Sequence, residues 1–221
     1  MDQPLTITAP TYGPSGVARR EDGKVVFVHR ALPGDVVEVE ITRSKKQYDE
    51  GIIRTLHESS PLRREPSCPM YHLCGGCSWM HASRAAQLEL KGDVVRQTLR
   101  GVVESDTVLP PANLGPEFGY RQRARFQLDV TGGVVRAGFF APSSHSLVPL
   151  SSCPVLTDRL NEVLNALAGA TPPSSFSGSM DVVSGDGESV YAALYASNPL
   201  PNSDALASWL VDGVGVQGAM V

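Results

Sequence analysis

Three of the chain's four cysteines lie in one short stretch, "CPMYHLCGGC", from Cys68 to Cys77. Cys68, Cys74 and Cys77 are spaced C-x5-C-x2-C, with Gly75 and Gly76 between the last two. A loop that turns three thiolates onto one centre needs tight bends and close backbone approach. Glycine permits both because it has no Cβ. Backbone N–H groups in such a loop can also donate to sulfur and tune a redox potential. Three ligands leave one position open, and Cys153 in "SSCPV" can complete the set from a distant segment. Pro154 follows it directly, as in the Cys-Pro pattern of cluster ligands. Three readings stand: an iron–sulfur cluster, a structural zinc ion, or buried thiols without a metal. The x5 spacing is unusual for zinc, and Cys153 has no nearby partner to make a second knuckle. The C-x3-C-x2-C spacing expected of radical-SAM enzymes is absent.

A second group of residues suits a polyanion. Arg121, Arg123 and Arg125 alternate in "YRQRARFQLDV", so on a strand they share one face. Guanidinium groups in a row suit phosphate contacts, and a solvated strand face is the plainer alternative. Lys45, Lys46 and Tyr48 fall between two predicted strands. Two cations and an aromatic on a loop suit single-stranded RNA, and a solvated loop accounts for them equally. Tyr120 is a candidate for base stacking, whereas Phe126 reads as core. His81 is a candidate RNA contact or metal ligand, redundant as a ligand beside four cysteines, with a local hydrogen bond near a helix start as its alternative. His145 reads as a surface or turn histidine.

The elements that position these groups follow from periodicity. "KVVFVHR", "VVEVEIT" (36–42) and "YDEGIIRTL" read as short, evenly spaced strands, as in a small barrel. "SSPLRREPS" (59–67) reads as a linker. A helix is expected over about 83–100, with Gly92 weakening it and Gly101 as its cap. "YRQRARFQLDV", "GGVVRAGFFA" and "SHSLVPLSSC" read as strands. "LTDRLNEVLNALAG" reads as a helix with Leu160, Val163, Leu164 and Leu167 on its apolar face. "MDVVSGDGESVYAALYA" reads as a hairpin turning at Gly185-Asp186-Gly187, followed by a short helix in "SDALASWLVD" and a strand begun by "GVGVQGAMV".

The 221 residues are 42% hydrophobic and 19% charged, which is ordinary for a globular protein of one or two domains. The formal net charge of −4 excludes a uniformly basic surface. After Arg136 the only Lys or Arg is Arg159, so a polyanion is expected to meet the first two-thirds of the chain. "MDQPLTITAP" does not read as a secretory signal, and no apolar run is long enough to span a membrane. Clustered cysteines are then expected in a reducing, cytoplasmic setting, where metal binding or redox chemistry outranks disulfides.

The cysteine block resembles the loop of the class I, SAM-dependent RNA (uracil-5-)-methyltransferases that carry a 4Fe–4S cluster. The shared pattern is C-x5-C-G-G-C, then His81, then Gln87-Leu88-Glu89-Leu90-Lys91. "YRQRARFQLDV…AGFFAPSSHSLVPLSSCPVL" is similar to that family's Y-R-x-(K/R)-A-R strand and its G-F-x-x-x-S-H stretch ending in Cys-Pro. "TYGPSGVARREDGKVVFVHRALPGDVVEVEITRSKKQYDEGIIRTLHES" is similar to the family's TRAM domain, an OB-like barrel implied to bind RNA.

The resemblance implies that Cys68, Cys74, Cys77 and Cys153 hold a mainly structural 4Fe–4S cluster. It also implies that the parent enzyme methylates carbon 5 of a uridine through a cysteine adduct at carbon 6. The family's SAM loop, its Asp-Pro-Pro-Arg segment and its nucleophilic cysteine in Ser-Cys-Asn are not in this sequence. The expectation is therefore an α+β chain: a TRAM-like barrel at 1–58 and a central mixed α/β domain at 59–221 with antiparallel strands and the cluster loop. It is expected to be an N-terminal fragment, inactive alone, with SAM entering only through a catalytic domain. RNA (ribosomal or transfer) is its expected partner, with no membrane, as a monomer. The rival expectation is a stand-alone RNA-binding iron–sulfur or zinc protein without catalysis.

Overall fold

The computed structural model describes residues 3–185, 188–197 and 202–221. The chain divides into two compact units, Met1–Ser67 with Ser78–Leu114, and Cys68–Cys77 with Gly115–Val221. The first unit therefore contains the linker and long helix expected beyond residue 58.

In the first unit β1 (Leu5–Thr6), β2 (Ala9–Pro10), β3 (Ser15–Arg19), β4 (Val25–His29), β5 (Val36–Ser44) and β6 (Tyr48–Glu58) form one sheet. Its order is β1-β5-β6-β4-β3-β2. β1 pairs with β5 at one edge and β2, four residues later, with β3 at the other. Ile7 N–H donates to Asp35 O at 2.9 Å and Thr8 N–H to Val17 O at 2.8 Å. One short stretch thus satisfies both sheet edges, and the sheet closes on itself as a barrel does.

β5 and β6 are long, and register breaks at Val36/Val37, Glu38/Val39 and Ile41/Arg43 bend them. At the bend a Cβ on Gly51 would stand 2.5 Å from Val39 Cγ1 and 2.6 Å from Glu40 O, so only glycine fits. Alternating Val and Ile residues fill the barrel: Ile7, Val26, Val28, Val37 and Val39 pack with Ala18 and Ala31.

The helix α1 (Arg84–Thr98) starts at Ser83, whose side chain accepts from Ala86 N–H. Ala86 and Leu90 bury against Leu32, Ala82, Leu62 and Trp79. Gly92 is buried, with Pro111 close over it, so the helix tolerates it as a contact point. The helix ends at Thr98, before Gly101, which lies in the following turn at φ +80°. Asp35 is fully buried and accepts from the Arg63 guanidinium twice at 2.7 Å, from Leu32 N–H at 2.6 Å and from Ser60 N–H at 2.9 Å. That ion pair ties the 59–67 segment to the barrel.

In the second unit β7 (Arg123–Thr131), β8 (Val134–Phe140), β9 (Leu147–Pro149), β10 (Phe176–Ser184), β11 (Val190–Ala196) and β12 (Gly218–Met220) form a sheet of order β12-β11-β10-β7-β8-β9. All pairs are antiparallel except β11 with β12. One face buries Phe126, Leu128, Met180, Val182 and Leu194. The helix α2 (Asp158–Gly169) turns Leu160, Val163, Leu164 and Leu167 inward, as its periodicity predicts. The third helix, α3 (Ser203–Ser208), runs into a wider turn at Trp209–Gly213.

The strand expected over "SHSLVPLSSC" shrinks to Leu147–Pro149, although Leu150 N–H still donates to Ala137 O at 2.9 Å. The expected final strand shrinks to Gly218–Met220, after Gly215 turns at φ +82°. Of the expected hairpin turn, Asp186 and Gly187 lie outside the described residues. Among the described residues no helix is long and apolar enough to cross a membrane.

Candidate metal centre and nucleic-acid surfaces

The cysteine loop belongs to the second unit, although the residues on both sides of it belong to the first. Its backbone is wound on itself: Tyr71 N–H donates to Cys68 O at 3.0 Å and Cys74 N–H to Met70 O at 2.8 Å. Gly75 N–H donates to Phe140 O at 2.9 Å, docking the loop on the end of β8. A Cβ on Gly75 would lie 2.9 Å from that same oxygen and 3.2 Å from Pro142 N. Here close approach, not turn conformation, demands glycine. Gly76 N–H points at Cys74 Sγ at 3.4 Å, the kind of donor expected around a metal-bound sulfur.

Cys153 is buried, between β9 and α2. Its N–H donates to Asn161 Oδ1 at 2.8 Å, and Asn161 Nδ2 donates back to Cys153 O at 3.1 Å. Asn161 on α2 therefore locks the backbone of the fourth cysteine, a support that spacing did not reveal. Burial, and next the sulfur of Cys153, push the Cys77 thiol up to about 11; Arg121 pulls the other way. Burial likewise raises Cys153, against backbone donors at Val155 and Leu156. The sulfurs thus feel one another within one unit, and no disulfide consumes any of the four. Among the described residues no three His, Cys, Asp or Glu side chains stand together as a finished metal shell. The donor set still fits a soft metal or cluster: thiols only, a glycine cradle, and a cationic neighbour for a thiolate-rich centre.

The arginine row divides. Arg123 and Arg125 lie on the exposed face of β7, and both serve Asp181 on β10. Arg125 grips its carboxylate at 2.6 and 2.7 Å, and Arg123 stands at 3.6 Å. The Arg125 hydrogen bonds hold the Asp181 carboxyl below the usual carboxylate range. Arg121 lies before the strand, its N–H on Val155 O at 2.8 Å, and its charge acts on the cysteines. Three guanidinium groups in one row is therefore corrected to two on the sheet and one beside the thiols. Tyr120 is exposed and Phe126 fully buried.

Lys45 and Lys46 are exposed at the tip of the β5–β6 hairpin, closed by Lys45 N–H donating to Tyr48 O at 2.9 Å. Tyr48 packs edge-on against Phe27, with ring centroids 5.4 Å apart. The strands next to the tip are held by buried Asp49, which accepts from Lys24 Nζ and Ser44 Oγ at 2.6 Å each and from Arg20 at 3.3 Å. The Lys24 hydrogen bond leads in holding that carboxyl below its usual range. Asp49 and Asp181 were missed in the sequence because a lone carboxylate in a strand carries no local signal.

His81 is corrected. It is 3% exposed, which withdraws it from any RNA surface. Burial, then the nearby Arg63 charge, push its imidazole down to about 3. It is a neutral core histidine beneath the Asp35–Arg63 pair. His145 is exposed and sits edge-on to Phe140, with centroids 5.3 Å apart.

Comparison with known proteins identifies relatives of the chain. The TRAM domain family matches residues 2–53. An uncharacterized RNA methyltransferase, BH0897, of Halalkalibacterium halodurans is 42% identical over 144 residues, covering 62% of this chain and 31% of that protein. The 23S rRNA (uracil(1939)-C(5))-methyltransferase RlmD of Halomonas elongata is 40% identical over 166 residues, covering 74% of this chain and 34% of that enzyme. The chain thus spans about a third of the length of the curated relatives it matches. The crystal structure of a Pyrococcus abyssi tRNA (uracil-54, C5)-methyltransferase with S-adenosyl-L-homocysteine shares the fold at a TM-score of 0.56 and 23% identity, over 90% of this chain and 47% of that one. A TRAM barrel followed by the C-x5-C-G-G-C loop, with relatives of this kind along most of its length, places the chain in the RNA (uracil-5-)-methyltransferase family.

Proposed function

We propose that this chain supplies the RNA-binding part of an RNA (uracil-5-)-methyltransferase acting on ribosomal or transfer RNA, and that Cys68, Cys74, Cys77 and Cys153 hold a structural 4Fe–4S cluster. The single observation that carries the reading is the junction of the Cys68–Cys77 loop and Cys153 in one compact unit, although 76 positions separate Cys77 from Cys153. A bound cluster would supply a rigid covalent tie between them. Gly75 seats the loop on Phe140 O, Asn161 holds the backbone of Cys153, and Arg121 offsets thiolate charge.

In this reading residues 1–58 act as the TRAM barrel and 59–221 as the cluster-bearing region. The hairpin tip, with Lys45 and Lys46, meets RNA phosphates. Arg123 and Arg125 share one carboxylate and so leave cationic surplus on the sheet. Methyl transfer from SAM to carbon 5 requires a SAM site and a nucleophilic cysteine in Ser-Cys-Asn, neither of which this sequence contains.

Anaerobic purification with iron, sulfide and zinc counts and a visible spectrum tests the proposal. About four irons and four sulfides per chain, with broad visible absorption, are expected. A colourless protein with one zinc per chain overturns the cluster. A chain that binds no RNA overturns the RNA-binding role.

A further inference from the structure

The outer face of the second unit's sheet carries a groove of about 650 Å³ that the cysteine site does not use. Gln127, Asp129, Arg136, Ser179, Tyr195 and His145 line it. Register explains the grouping. Ser179 pairs with both Gln127 and Tyr195, so these three side chains form one row across β7, β10 and β11. Asp129 pairs with Arg136 in the next row, and the two form an ion pair. Aromatic groups stand at both ends: Tyr195, about half exposed, on β11, and the His145–Phe140 pair beside β8. The Arg125 guanidinium lies over the Tyr195 ring, 5.8 Å from its centroid, so a cation covers one face of the ring and a stacking partner must use the other.

The charges decide the ligand. Within the groove Arg136 is neutralised by Asp129, so the floor offers an amide and a hydroxyl but no surplus charge. One row away Arg123 and Arg125 share the single carboxylate of Asp181, and a positive charge is left over. A neutral, flat, hydrogen-bonding ring fits the floor, and an anionic group fits the flank. One nucleotide unit has both parts. We propose that this groove takes an unpaired nucleobase of the RNA, stacked on Tyr195 and hydrogen-bonded at its edge by Gln127 and Ser179, with the adjoining phosphate at Arg123 and Arg125. The inference rests on the RNA-binding role proposed above and adds a base-accepting site to it. Paired bases present no free ring face, so the site selects single strands.

The test is fluorescence anisotropy of the purified chain with a short labelled oligouridylate. The same strand annealed into a duplex and an abasic strand of equal length serve as competitors. Tyr195→Ala should weaken binding about tenfold, and Tyr195→Phe should keep most of the affinity, because stacking needs the ring and not the hydroxyl. Gln127→Ala should cost a few-fold. The abasic strand should compete poorly. Both side chains are outside the core, and circular dichroism checks that each variant is folded; Gln127→Ala carries the test if Tyr195→Ala is not. RNA binding that is unchanged in both variants but lost on removing Lys45 and Lys46 overturns the groove while leaving the RNA-binding role intact. Equal competition by the abasic strand overturns it too, since phosphate alone would then suffice. Self-association that disappears in Tyr195→Ala with RNA affinity unchanged gives the face to a second copy of the chain, and also overturns it. A wild-type chain that binds no RNA removes both proposals together.

Discussion

The barrel and the cysteine site are built on opposite principles. In the barrel, most pairings join neighbours in sequence, β2 with β3, β3 with β4 and β5 with β6, with β1–β5 and β4–β6 closing the sheet, and alternating apolar residues fill the core. In the cysteine site, a ten-residue loop leaves the chain segments around it and joins a strand end far along the sequence. The barrel's stability is thus distributed over many side chains. The cysteine site hangs on few contacts, chiefly Gly75 to Phe140 and Asn161 to Cys153. A small barrel tolerates the loss of any one surface group; a site joined by a few long-range contacts does not.

The largest effect should fall on the joined site. On the proposed cluster, Cys153→Ser is expected to abolish stoichiometric iron, because three thiolates from one loop leave the fourth corner open. Full iron retained in a folded variant would break the comparison, since the loop would then suffice alone. Metal analysis with a thermal melt reads this directly.

Next comes the buried ion pair of Asp35 and Arg63. Asp35→Ala strands the Arg63 guanidinium in a buried place and exposes the donors of Leu32 and Ser60. Loss of about 3–5 kcal/mol is expected in a denaturant titration. A loss below about 1 kcal/mol would show that the apolar barrel carries the unit without it.

A pH dependence sharpens the same point. His81 is held down to about 3 in the folded chain against an ordinary 6.5. Below pH 6.5 the unfolded chain takes up a proton that the folded chain refuses. Stability contributed by neutral His81 is therefore complete above pH 6.5 and falls as pH drops toward 3, by about 1.4 kcal/mol per unit. A loss of about 2 kcal/mol by pH 5 is expected, and His81→Gln should flatten the curve in that window. An unchanged slope would place the acid sensitivity elsewhere.

The smallest effect belongs to the exposed tip. Lys45→Ala with Lys46→Ala should leave the melting temperature unchanged and weaken RNA binding a few-fold. The slope of log affinity against log salt should fall by about 1–2, one phosphate contact per cation removed. A change in melting temperature would mean that the tip is part of the barrel's framework.

Much of the barrel was legible in the sequence because its order is local. "VVEVEIT" announces its strand by period-2 alternation, and the strand found, Val36–Ser44, extends that reading by two residues. The apolar face of α2 was legible for the same reason at a period near 3.6. The arginine row was legible as alternation, but the strand begins only at Arg123, and Asp181 from β10 claims both of its members. His81 misled because spacing places it after a cysteine loop and says nothing of depth. The groove at Tyr195 was invisible, since its row joins three strands through register.

The sequence by itself determined the elements, the cysteine spacing and the glycines of the loop, because each depends on neighbours a few residues away. Only the tertiary structure decided which unit the loop joins, which arginines remain on the sheet, and that His81 is buried and neutral. Those outcomes depend on contacts between residues far apart in the chain, whose closure is set by the whole packed unit and leaves no periodic trace.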